Sequence, residues 1–157
     1  VNPSNAKDQP GVIVIPPILF AACALAGWVF EVAVPLRIMD SPWPRSLGIA
    51  LALCAVFLAI WAFWVMKANG TNVRPDRPAL TIVRSGPFRF SRNPMYLSLC
   101  LLQLALGLML DSWWPLLFAI PLACILHFGV ILREERYLEA KFGEPYLALR
   151  RKVRRWL

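Results

Sequence analysis

The chain has 157 residues, 59% of them hydrophobic and only 17% charged, with a formal net charge of +8 and a mean hydropathy of +0.57. A soluble domain carries about 25% charged residues, so a chain this apolar is not an ordinary water-soluble globule, and its length suits a single domain spanning residues 1–157. The composition points instead to a polytopic membrane protein whose charges are confined to its loops.

The first apolar run, residues 12–34, has Pro16 and Pro17 near its start and one acid, Glu31, near its end. Lys7 is its only basic flank and no small-residue cleavage site precedes the next run, so it reads as a span rather than a cleavable leader. The second run, residues 47–66, carries no charge. A helix of roughly 17 to 25 residues crosses a bilayer. The third run, residues 94–110, sits at the short end of that range and is expected to borrow a turn from its neighbours or to tilt little. An Asp111-Ser112 turn leads into the fourth run, residues 113–132, which contains Pro121 and His127 but no charge. The expected fold is all-α, with about four transmembrane helices, a cytoplasmic loop and C-terminal interfacial helices. Cys23, Cys54, Cys100 and Cys124 all lie inside apolar runs, with no CxxC pair and no metal-ligand spacing. They read as small apolar residues.

The segment 68–93 is basic. Between the second and third runs lie Lys67, Arg74, Arg77, Arg84, Arg89 and Arg92 against one acid, Asp76. A second basic cluster follows the fourth run: Arg133, Arg136, Lys141, Arg150, Arg151, Lys152, Arg154 and Arg155. The positive-inside bias places both in the cytoplasm, and with them both termini; in a bacterium the protein would sit in the inner membrane. A loop this long inside a compact protein is commonly functional. Thr81-Ile82-Val83 suits extended chain, and Ser85-Gly86-Pro87 is a turn signal. Phe88 and Phe90 alternate with Arg89 and Ser91, which suits an ordered strip at the membrane interface. Phosphate headgroups are the expected anion for these bases, and nucleic acid is not.

The fourth run continues without a breaker through Phe142, and Gly143 is expected to stop it as a left-handed cap. Pro145 suits the first turn of a further helix. On it Tyr146, Leu149, Val153 and Trp156 recur at helical spacing, the pattern of a helix lying in the headgroup layer. Tyr146 and Arg150 are its candidates for reaching into a pocket.

Two short stretches hold the most chemistry. In Ser91-Arg92-Asn93-Pro94-Met95-Tyr96, Asn93 suits a helix N-cap and Pro94 the first helical position. Glu134 and Glu135 are adjacent, so on a helix they point about 100° apart and cannot act as a dyad on one atom. One is expected to face the protein while the other meets a base.

Arg92-Asn93-Pro94-Met95-Tyr96, followed after two apolar spans by Glu134-Glu135, Leu138, Phe142-Gly143 and Tyr146, resembles the membrane methyltransferases of the isoprenylcysteine carboxyl methyltransferase and phospholipid methyltransferase group. The similarity runs from about Thr71 and includes Ser85-Gly86-Pro87. It implies S-adenosylmethionine as methyl donor in a cytoplasmic pocket, and a lipophilic or lipid acceptor entering sideways from the bilayer. By that resemblance Arg92, Asn93, Pro94 and Tyr96 line the donor site, with Gly86 in the turn before them, and Glu134, Glu135 and Tyr146 complete it. Arg89 or Arg92 suits the donor carboxylate, a glutamate its ammonium or sulfonium, and tyrosine faces a cation or adenine. The chain departs from the family pattern where Asn93 replaces a common His. Carboxyl-methylating members often have another His at the position of Leu80, and an arginine at that of Val130. The second difference argues against a prenylcysteine carboxylate as acceptor and leaves Arg133 and His127 as candidates for acceptor chemistry.

Three other functions suit parts of the pattern. Glu31 within a span suits a small proton-coupled transporter. Some sterol reductases share such an arrangement of spans around a nicotinamide site. A non-catalytic scaffold would bind no small molecule.

Overall fold

The computed structural model of the chain describes residues 9–39, 41–74 and 77–157; Lys7 and Asp76 lie outside them. Six α-helices follow in order: α1 Pro16–Ala33, α2 Trp43–Ala68, α3 Pro94–Met109, α4 Trp113–Ile125, α5 Leu132–Phe142 and α6 Glu144–Lys152. A π-helical stretch, Leu126–Ile131, joins α4 to α5 without a break, and a 3₁₀ turn at Gly86–Arg89 precedes α3. α1, α2 and the continuous Trp113–Phe142 helix are each long and apolar enough to cross a membrane, and α3 is a shorter apolar helix. The protein is an all-α polytopic membrane protein.

Helix boundaries follow the prolines. Pro16 and Pro17 do not interrupt α1; they start it, where a missing N–H costs nothing, so residues 12–15 stay outside the helix. Pro44 does the same for α2, which runs longer than its apolar run at both ends and takes in Arg45 and Lys67. α3 borrows no turn. Pro94 opens it, Asp111 in the left-handed region (φ 51°) lies just beyond its end, and its 16 residues span about 24 Å.

α2 shows how the bundle is held. Its buried residues are Pro44, Gly48, Ala55 and Ala62, one stripe of small or compact side chains turned toward α3, which answers with Ser98 and Ala105, while Gly107 lies against Leu116 of α4. Leu53, Phe57 and Trp64 on its other faces are each at least 65% exposed, as lipid-facing residues should be. In lipid, apolar contact gains packing rather than water release, so small residues that let backbones approach are the effective glue. The α1–α4 side packs larger residues: Leu19 and Cys23 meet Leu122, Leu126 and Val130. α2 packs on α3, α3 on α4, and α1 on α4 and the edge of α3; no packed interface joins α1 to α2 among the described residues.

The two ends of the bundle differ. At one end Glu31 Oε2 accepts from Ser112 Oγ at 2.6 Å and Leu36 N at 3.1 Å, tying the end of α1 to the α3–α4 turn. Asp111 Oδ1 accepts from Met39 N there. The other end carries the start of α1, the end of α2, the 68–93 segment, the start of α3, α5 and α6. Thr81-Ile82-Val83 forms no strand; Leu80 N instead donates to Thr71 Oγ1, and Ala79 N to the Tyr137 hydroxyl, so the segment is ordered by side chains.

Candidate functional site

A cavity of about 330 Å³ opens at this second end. Its polar wall includes Arg92, Asn93, Tyr96, Glu134, Glu135, Tyr137 and Tyr146, and the 68–93 segment adds Thr71, Asn72, Arg74 and Arg77. Its apolar arm runs between Ile15 with Pro16 and Pro17 at the start of α1 and Ala59 and Met66 of α2, over Met95, Ser98 and Leu99 of α3. Ala59 lies nine residues before the end of α2, so this arm reaches about 13 Å down that helix. The volume suits a small-molecule site.

The start of α3 aims the first polar groups. Pro94 holds the first helical position, and Arg92, two residues earlier, has its backbone N–H bonded to the Arg154 carbonyl at 3.0 Å. Its side chain is 8% exposed and reaches Glu135 Oε1 at 3.2 Å and the Tyr146 hydroxyl at 3.2 Å. Arg92 Nε is buried without a hydrogen-bond partner. Asn93 is the N-cap residue but makes no side-chain cap; its Nδ2 donates to the Arg155 carbonyl at 3.0 Å. The side chain that the sequence assigns to capping is spent on tethering the segment after α6.

On α5 the two acids part as their spacing requires. Glu135, itself 8% exposed, is gripped by Arg155 through both oxygens, Nε to Oε1 and Nη2 to Oε2, each at 2.8 Å. Arg92 adds a third contact. Glu134 points elsewhere: its Oε1 accepts from the Tyr96 hydroxyl at 2.7 Å, and no base pairs with it among the described residues. The helix has turned polar by this point, beyond the apolar span. Burial pushes the Glu134 carboxyl up to about 7, with the Tyr96 hydrogen bond opposing and the Glu135 charge adding to the rise. Burial and the Glu135 charge likewise raise Tyr146, against Arg92.

Arg92, Asn93, Pro94, Tyr96, Glu134, Glu135 and Tyr146 therefore come together on one cavity, across more than fifty residues of chain. Five other expected site residues do not line it. Gly86 sits in its turn at φ 58°, against Trp61 and Val65 of α2, where a Cβ would lie 2.7 Å from Val65 Cγ2; it shapes the segment rather than touching a ligand. Arg89 is exposed. Arg150 pairs with Glu139 at 3.1 Å on the surface. Arg133 donates to the Gly11 carbonyl at 3.0 Å, holding the segment before α1 in place. His127 faces away: Trp156 Nε1 lies 3.3 Å from Nδ1 and Arg155 Nη1 lies 3.5 Å from Nε2. A neutral imidazole offers one acceptor, and two obligate donors already face this ring.

The segment after α6 is the largest departure from the sequence reading. Gly143 does have positive φ, but its ψ of −129° takes the chain out of the left-handed helical region into one open to glycine, and α6 restarts at once. α6 stops at Lys152, and Val153 is extended (φ −121°, ψ 132°). Trp156 is thus not on an interfacial helix stripe; its ring stacks on His127 at 6.4 Å. Arg155 reads in sequence only as one base of the C-terminal cluster, and neither it nor Tyr137 carries a local signal that they meet Glu135 and the 68–93 segment. Val130 is fully buried in the core beside Leu122 and Leu126.

Residues 43–145 match the family described as phospholipid methyltransferase. A protein of Haemophilus influenzae described as uncharacterized is 46% identical over 63 residues, which are 40% of this chain and 100% of that protein. No solved structure matches the chain.

Proposed function

This chain belongs to the phospholipid methyltransferase family, and from that premise we propose that it is an integral-membrane methyltransferase using S-adenosylmethionine to methylate a lipophilic acceptor that enters from the bilayer. The cavity would face the cytoplasm, because Lys67, Arg74, Arg84, Arg89 and the bases of α5 and α6 share its end of the bundle.

The observation that carries the reading is the split between the two acids. Glu135 is already neutralised, whereas Glu134, on the same cavity, is hydrogen-bonded to a tyrosine and paired with no base among the described residues. A half-buried carboxyl lacking a countercharge is costly as an anion, and a ligand cation beside it would remove that cost. The donor carries an ammonium and a sulfonium to meet Glu134, and a carboxylate to meet Arg92, whose Nε has no partner. The residue types present therefore fit the group.

When bound, the donor supplies a methyl group on a positively charged sulfur. This chain's residues do the rest by orientation and exclusion. Tyr96 fixes the Glu134 carboxyl through its 2.7 Å hydrogen bond. Arg92, braced by Tyr146 and Glu135, presents a fixed positive charge. The apolar arm between Ile15 and Ala59 would admit an acceptor tail and keep water from the reacting centre. In-line displacement depends above all on such alignment.

The test is calorimetric titration of the detergent-purified protein with S-adenosylmethionine and S-adenosylhomocysteine. Binding of both in the micromolar range is expected. Absence of heat at millimolar ligand would overturn the reading.

A further inference from the structure

We propose that Arg155, in the extended segment after α6, is a positioning residue that turns the Arg92–Glu135 pair into a receptor for the carboxylate of the bound amino-acid ligand; this rests on the donor site proposed above.

Arg92 and Glu135 alone would form a neutral pair, each 8% exposed and each using up the other's charge. An anion approaching Arg92 would then meet Glu135 as well. Arg155 changes that balance. It takes both Glu135 oxygens at 2.8 Å, leaving Arg92 a single 3.2 Å contact with Glu135, its bond to the Tyr146 hydroxyl, and a buried Nε with no partner. The three side chains carry a net charge of plus one, and Arg92 and Glu135 line the cavity while Arg155 stands behind them.

Arg155 is held there by the chain around it. Its carbonyl accepts from Asn93 Nδ2 at 3.0 Å, and the Arg154 carbonyl from Arg92 N at 3.0 Å. Trp156 closes on His127. The segment is therefore a strap across the start of α3. It lies beyond the residues that match the family, so nothing in that match assigns it a role.

The experiment compares two probes: S-adenosylhomocysteine, which has the amino-acid carboxylate, and 5′-methylthioadenosine, which lacks it. Arg155→Ala should weaken the first about tenfold and the second less than about twofold. Arg155→Lys, with a single ammonium in place of the fork, should recover part of the loss. The double variant Arg155→Ala with Glu135→Gln restores a net charge of plus one beside the cavity, so its affinity for S-adenosylhomocysteine should return to within about threefold of the wild type. Thermal melting in detergent confirms that each variant is folded; should Arg155→Ala not fold, the lysine and double variants decide. Equal losses for both probes would make the strap merely structural, and unchanged affinity or no recovery in the double variant would equally overturn the proposal. A wild type that binds neither probe defeats the donor site itself, a different failure.

Discussion

Both ends of the bundle carry acids beside a membrane boundary, and they are used differently. At the far end Glu31 is satisfied by two neutral donors, the nearby Leu36 amide and the Ser112 hydroxyl, and its work is to fasten α1 to the α3–α4 turn. At the cavity end Glu135 meets two guanidinium groups, while Glu134 has one tyrosine and an open cavity beside it. An acid at a bilayer surface is therefore no marker of function by itself. What separates the two ends is whether the fold completes the acid's partners or leaves room for one more.

The sharpest way to break this comparison is Glu134→Gln. It should weaken S-adenosylhomocysteine binding about thirtyfold, the scale of one lost charge-assisted contact, while the melting temperature holds or rises at alkaline pH. Calorimetry and a thermal melt read both. Retained affinity would put Glu134 in the same class as Glu31.

Next in size is pH. Glu134 binds its proton more tightly in the folded protein, up to about 7 against an ordinary 4.5. Stability from this group is therefore present at low pH and lost as pH rises from about 4.5 to about 7. A bound cation requires the ionised form, so affinity should rise about tenfold between pH 6 and 8 in the wild type. In Glu134→Gln the profile should be flat. Titrations at several pH values supply the check.

Glu31→Gln should leave ligand affinity unchanged and cost about 1 kcal/mol of stability, since a neutral amide accepts the same hydrogen bonds more weakly. A drop in affinity would show the ends to be coupled. The smallest effect is expected at Gln103, buried on α3, where Nε2 donates to the Pro115 carbonyl at 3.0 Å and Oε1 has no partner. Replacing it by leucine removes one good and one unsatisfied polar group together, so the change should stay within about 0.6 kcal/mol by thermal melting.

Much of this architecture was legible one segment at a time. Apolar length marked the spans, Pro94 marked the start of α3, and the adjacency of Glu134 and Glu135 required them to diverge. Local spacing misled where a residue's partner was remote. Asn93 looked like a cap because it precedes a helix, yet the Arg155 carbonyl claims its side chain. Trp156 continued an apolar stripe on paper, but the chain leaves the helix at Val153 to dock on His127.

The sequence alone determined that this chain lives in a membrane, where α3 and α4 begin, and which residues carry charge at each boundary. Those properties depend on each segment's own hydropathy, its prolines and its helical period. Only the tertiary structure decided that Arg92, Glu135 and Arg155 share one cluster while Glu134 keeps a cavity, because side chains 20 to 60 residues apart meet only after whole helices have packed.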